Sequence, residues 1–201
     1  MTGVQVRVFI ILFSWPELPR VPVIGANDAA LLPGGTVSVG SSNFKKLMES
    51  RFSVIDKSML IAEFASTADE VTLVLHPRQF GKTTNLSMLH FFFERIDGKS
   101  KHEHELWHTL FGSMKIAKER PDVMMNEFGK YPVVFLSLKD VIGKMWNDMS
   151  RLMQTTISQI YNEHAYLCYH QQKCIVLTDE YDVPISSAYH NRYYEDVMHF
   201  L

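Results

Sequence analysis

The chain has 201 residues, 46% hydrophobic and 21% charged, which suffices for one domain with a sizeable core and excludes a wholly disordered chain. A net charge of −2 carries no electrostatic argument for nucleic acid or for an anionic membrane as partner. Two cysteines, Cys168 and Cys174, are too few for a disulfide framework, so a reducing intracellular setting, most simply the cytoplasm, is expected.

Residues 1–41 read as an irregular, poorly ordered leader. An apolar patch from Val8 to Phe13 runs into Trp15-Pro16, Pro19, Pro22 and Pro33-Gly34-Gly35, punctuation that favours irregular chain or a short strand over a packed element. The patch is well short of the roughly 18 residues of a membrane span and lacks a small-residue cleavage site, so neither a span nor a secretory signal is expected.

From Ser42 the pattern sharpens. Ser42 can N-cap a helix over 43–49 with Phe44, Leu47 and Met48 on one face, and a second helix runs from Lys57 to about Ala65. The β-favouring run Val71 to Leu75 stops before Pro77, and after a short loop Gly81-Lys82-Thr83 opens a helix over 83–95. That helix is apolar over most of its circumference (Leu86, Met88, Leu89, Phe91, Phe92, Phe93), so it is expected to be buried, with the phenylalanines as core. Segments 102–111 and 115–128 read as charged peripheral helices. Val133 to Leu138 is a continuous apolar run of the kind buried on both faces of a parallel sheet. A long amphipathic helix over 141–167 carries Ile142, Met145, Met149, Leu152, Met153, Ile157 and Ile160 at helical spacing. Cys174 to Thr178 is a third buried strand, and a last helix spans about 192–201. Buried strands separated by helices make an α/β protein with a mainly parallel sheet.

Two motifs carry chemistry. A strand, a loop and a helix opened by Gly-Lys-Thr form the context of a phosphate-binding P-loop (Walker A), because helix N-terminal N–H groups point at an anion and a lysine adds a point charge. Here His76 stands where the usual G-x-x-x-x-G-K-[ST] pattern has its first glycine. Arg78, Gln79, Phe80, Gly81, Lys82, Thr83 and Thr84 are the candidate nucleotide-binding residues. The second motif is an apolar strand followed by Asp179-Glu180, the pattern of a Walker B strand. ATP brings Mg²⁺, a hard ion that takes oxygen ligands and keeps several waters. Thr83 and Asp179 would hold that metal, Lys82 would neutralise the β and γ phosphate oxygens, and Glu180 would orient and deprotonate the attacking water. His102, His104 and His108, and likewise His164, Cys168, His170 and Cys174, lack the paired spacing of zinc sites and read as solvated-helix and buried-thiol positions. Tyr189, Tyr193 and Tyr194 read as packing for the last helix.

Six blocks in order resemble the AAA-ATPase-like domain family: 42–50, Val54 to Ile61, His76 to Thr83, Asn85 to Leu89, Pro132 to Asp140, and Ile175 to Ile185. That domain occurs in bacterial and fungal proteins and is frequently followed by a PD-(D/E)XK nuclease-type domain. The resemblance spans about residues 42–201 and implies a P-loop NTPase-like three-layer α/β/α fold, here incomplete at its C-terminus. It also implies ATP and Mg²⁺ as cofactors, with Mg²⁺-dependent hydrolysis. The family's loop usually reads R-P-R-R-F-G-K-S, so the missing glycine is a family trait, while His76 and Gln79 replace arginines. Asp56 and Lys57 match a V-D-K-[ST] block that the resemblance places near the nucleotide. Segments that related ATPases carry after the Walker B strand are missing. A truncated chain is therefore expected, with an open strand edge beside the P-loop strand that self-association, or docking onto a missing C-terminal region, would cover. The alternative reading is a non-hydrolysing remnant that binds nucleotide or serves as an interaction surface. A small-molecule kinase would also use this loop, but no acceptor site is recognisable.

Overall fold

The computed structural model describes residues 6–13, 30–32, 42–50, 54–67, 71–76, 81–95, 101–170 and 174–200. It is a mixed helix and strand structure with a small parallel sheet, and it divides into two compact units.

The first unit (residues 1–14, 70–77 and 134–201) holds the sheet. Its strands are β1 (Val6–Phe13), β4 (Val71–His76), β5 (Val133–Ser137) and β6 (Cys174–Asp179), in the order β4-β1-β6-β5. β1 pairs in parallel with β4, Val8 opposite Val71 through Phe13 opposite His76, and in parallel with β6, Val6 opposite Cys174 through Ile10 opposite Thr178. Of the two forms the leader's pattern allowed, irregular chain or a strand, residues Val6–Phe13 take the strand. Val6 to Phe13 is rich in β-branched and aromatic residues and nearly continuous in apolar character, the composition a strand between two parallel neighbours requires. β4 ends the order, with β1 as its paired neighbour among the described strands.

The long helix is shorter than its periodicity suggests. α7 spans Trp146–His170, with a kink at His164, where φ is −117° and ψ is 16°. Residues 141–145 instead form an irregular approach held by Gly143, whose carbonyl accepts from Tyr193 Oη at 2.6 Å and from Ser187 Oγ at 3.1 Å. Met149 and Met153 of α7 are buried with Leu138, Val141, Ala188, Tyr193 and Val197. Ile142, Met145, Leu152 and Ile157 are exposed. Ile142 and Met145 fall outside the helix, and Ile157, eight residues past Met149, lies about 80° round the axis from it. Two short helices follow β6, α8 (Asp182–His190) and α9 (Tyr194–Phe200), where one was expected. Pro184 falls in the first turn of α8, where its missing N–H costs no helical bond. Tyr193 packs as expected, whereas Tyr189 and Tyr194 are exposed and meet each other edge to face.

The second unit (residues 15–69 and 78–133) is mainly helical. It contains α1 (Phe44–Glu49), α2 (Met59–Ser66), α3 (Lys82–Phe93), α4 (Lys101–Gly112), α5 (Lys115–Glu119) and α6 (Pro121–Glu127). An antiparallel two-stranded ribbon joins them, β2 (Ala30–Leu32) with β3 (Val54–Asp56), so the leader contributes a second strand. Asn43, not Ser42, caps α1, its side chain accepting from Lys46 N at 3.1 Å. The single helix expected over 115–128 is two, because Pro121 lacks the N–H to continue α5 and starts α6 at its N1 position. The core is aromatic. Phe92 meets the rings of Phe111 and Phe128 edge to face at 5.2 and 5.3 Å, Phe93 meets Phe64 at 5.4 Å, and Phe44 stacks on Phe111. Such pairs add about 0.5–1.5 kcal/mol each beyond area burial, so α3 is the best-anchored element of this unit.

Candidate functional site

Gly81 is the N-cap of α3 and has a left-handed backbone, φ 77° and ψ 30°, a conformation that glycine adopts without strain. The first intrahelical bond runs from Asn85 N to Gly81 O at 2.8 Å, so the N–H groups of Lys82, Thr83 and Thr84 have no acceptor within the helix. No side chain of the N-cap residue covers them. The side chains of Lys82, Thr83 and Thr84 are half-buried. This set fits a phosphate: the positive end of a twelve-residue helix, a lysine and two hydroxyls. Arg78, Gln79 and Phe80 lie outside the described residues. Behind the first turn, Leu86, Leu89, Phe92 and Phe93 are buried, which fixes the axis of α3.

One side chain from a separate segment, Lys57, stands near Gly81. β3 ends at Asp56, whose buried carboxylate accepts from Ser58 N through Oδ1 and from Lys115 N through Oδ2, both at 2.9 Å. Ser58 Oγ accepts from Ile116 N at 3.1 Å. Asp56 and Ser58 thus satisfy the first two N–H groups of α5, whose own N-cap, Met114, has no side-chain acceptor. Lys57, between them, carries its Nζ to 4.0 Å from the position a Cβ on Gly81 would take. Burial holds its ammonium below the ordinary lysine value. Sequence periodicity alone could not have found this: the signal is a charged residue flanked by two that turn inward as caps.

In the other unit, Asp179 is the last residue of β6 and is buried. Its Oδ1 accepts from Glu180 N at 3.0 Å, and its carbonyl accepts from Leu138 N at 3.0 Å at the end of β5. Glu180 has φ 56°, left-handed for a residue with a side chain, a strain of the kind that concentrates at functional turns. Val183 N closes the turn by donating to Glu180 O at 3.0 Å. The Asp179 carboxylate at this strand tip is an oxygen donor of the kind a hard divalent cation takes. Among the described residues no group of three or more His, Cys, Asp or Glu is arranged to hold a metal by itself, and no described helix is long and apolar enough to cross a membrane.

A family model described as "Predicted AAA-ATPase" matches residues 38–168. The match contains Lys57, the segment around Gly81 and all of α3, and it stops before β6. No curated protein and no solved structure matches the chain.

Proposed function

The chain belongs to the AAA-ATPase-like family, and on that premise we propose that it binds ATP with Mg²⁺ and hydrolyses it, using a P-loop NTPase-like fold. The observation that carries this reading is the start of α3. A left-handed Gly81 is followed at once by Lys82 and Thr83 at the N-terminus of a twelve-residue helix, where the first N–H groups and the helix dipole favour an anion. Lys82, Thr84 and those N–H groups bind the phosphates. Arg78, Gln79 and Phe80 are proposed as further nucleotide-binding residues. Thr83 and Asp179 are the residues that would hold Mg²⁺, which when bound would neutralise charge on the phosphates. Glu180 takes the proton of the attacking water. The strained turn at Glu180 supports this last role, since a glycine would adopt that backbone more cheaply and a carboxylate stands there instead. Nucleotide is the proposed partner, and self-association over the edge of β4 that has no paired neighbour among the described strands is proposed alongside it.

Isothermal titration with Mg·ATP tests the binding. Wild type should release or take up heat, and Lys82→Ala should lose it. No heat, or equal heat from both proteins, overturns the reading. Phosphate release tests the chemistry. Glu180→Gln should retain Mg·ATP binding with turnover reduced about 100-fold or more, and chelating the metal should abolish turnover in wild type. A wild type that binds without turnover leaves a nucleotide-binding domain that does not hydrolyse.

A further inference from the structure

We propose that Tyr193 is a positioning residue for Glu180, acting through the carbonyl of Gly143. The inference rests on the reading of Glu180 as the base and deepens it by naming what holds that residue in place. Glu180 has φ 56°, and a residue with a side chain keeps a left-handed backbone only where its surroundings fix it from both sides. A closed circuit of hydrogen bonds does so. Upstream, Glu180 N donates to Asp179 Oδ1 and Leu138 N donates to Asp179 O, each at 3.0 Å, which ties the turn to the end of β5. From Leu138 the chain runs on to Gly143, and Val141 N donates back to Leu138 O at 3.1 Å on the way. Downstream, Val183 N donates to Glu180 O at 3.0 Å as α8 begins. About one helical turn later, Ser187 Oγ donates to Gly143 O at 3.1 Å. Asn191 Nδ2 reaches the same oxygen at 3.4 Å, and Tyr193 Oη donates to it at 2.6 Å. Gly143 O is therefore where the circuit around Glu180 closes, and the Tyr193 bond is the shortest of the three that close it.

This circuit is buried. Leu138, Val141, Ser187 and Tyr193 are all shielded from water, and Tyr181, next to Glu180, packs on the cluster to which Leu138, Val141 and Tyr193 belong. Tyr193 N also donates to Ala188 O at 3.0 Å, a second tie to α8. Without the tyrosine hydroxyl, Gly143 O keeps only the two longer bonds, and α8 with its first turn is held less firmly. Proton transfer is steep in position, since a misplacement of about 1 Å costs on the order of 100-fold. Nucleotide affinity makes no such demand, because the phosphates are assigned to residues 78–84, outside the circuit.

The test uses the whole chain. Wild type, Tyr193→Phe, Ser187→Ala, Glu180→Gln and the double variant Tyr193→Phe with Glu180→Gln are compared for phosphate release and for Mg·ATP titration, with thermal unfolding of each recorded. Tyr193→Phe should lower kcat about tenfold while Mg·ATP affinity stays within about threefold of wild type. Ser187→Ala, which removes a longer bond and leaves Tyr193 in place, should lower kcat by a smaller factor and carries the same test if the phenylalanine variant does not fold. In the Glu180→Gln background, Tyr193→Phe should cost nothing further in kcat, because there is no base left to position. A merely structural tyrosine would lower kcat by the same factor in both backgrounds. Wild-type kcat in Tyr193→Phe and Ser187→Ala, or an equal loss with and without the Glu180 carboxylate, overturns the proposal and leaves the reading of Glu180 standing. Wild-type turnover in Glu180→Gln, or no turnover in wild type, overturns both.

Discussion

Replacing Asp56 by alanine should destabilise the helical unit by about 3 kcal/mol, which is the low end for two hydrogen bonds to a charged acceptor at about 1.5–3 kcal/mol each. The carboxylate is only 4% exposed, so water cannot readily substitute for it. Its loss strands Ser58 N locally and Lys115 N at the start of α5, where Met114 offers no alternative cap. Asp56→Asn keeps one acceptor oxygen and turns an N–H donor toward another, so it should lie between wild type and alanine. For a chain of this length the alanine change corresponds to a fall in Tm of about 6–12 °C. Urea unfolding followed by tryptophan fluorescence is the assay, since Trp107 is buried in the same unit. Ser58→Ala, which removes one neutral acceptor from Ile116 N, should cost about 1 kcal/mol. A loss below about 0.5 kcal/mol for Asp56→Ala would refute the capping argument, and with it the rigid placement of Lys57.

Further outcomes follow from the same geometry. A Cβ added to Gly143 would meet Met149 N at 2.7 Å, so Gly143→Ala should cost about 3 kcal/mol in chemical denaturation, and a neutral result would show that the turn relaxes freely. At Gly81 the nearest atoms to an added Cβ are 4.0 Å away, so Gly81→Ala should cost only the left-handed backbone, about 1–2 kcal/mol, with nucleotide titration recording the effect on binding. Because burial lowers the pKa of Lys57 from 10.5, the unfolded state binds more protons between the lowered value and 10.5. The residue therefore subtracts stability at neutral pH, and the penalty fades as pH rises through that window. Lys57→Met should be the more stable protein at pH 7 without nucleotide, with the gap closing toward pH 10; a gap that widens with pH contradicts this sign. Ile10→Pro removes a ladder N–H from a strand paired on both sides and should abolish cooperative unfolding of the sheet unit, read by circular dichroism.

What was legible in the sequence is what local pattern encodes. The β-favouring runs Val71 to Leu75, Val133 to Leu138 and Cys174 to Thr178 announced strands, and the aromatic face of α3 announced a buried helix, because burial on most sides leaves little room for polar residues. The order Gly81-Lys82-Thr83 at a helix start was equally readable. β1 was not. Its composition is that of a buried strand, but the prolines after it belong to the leader, and only partners far along the chain reveal that Val6 to Phe13 is central. The placement of Lys57 depends in the same way on bonds from Asp56 and Ser58 to residues 115 and 116, a separation no periodicity reports. The exposed side of α7 shows the opposite failure: Leu152 and Ile157 keep the helical period of a core face without lying on it.

The position of β1 also sets an order of events during synthesis. β1 leaves the ribosome before the other strands of its sheet, yet one of its edges is completed only when Cys174 to Asp179 has emerged. At about 5–20 residues per second that interval is on the order of 10–30 s. Through it, an eight-residue apolar segment waits with unpaired backbone groups while β4 alone can join it. The nascent chain should therefore be a chaperone client until β6 arrives. Slowing translation between β4 and β6 should lower the soluble yield more than slowing it after Asp179.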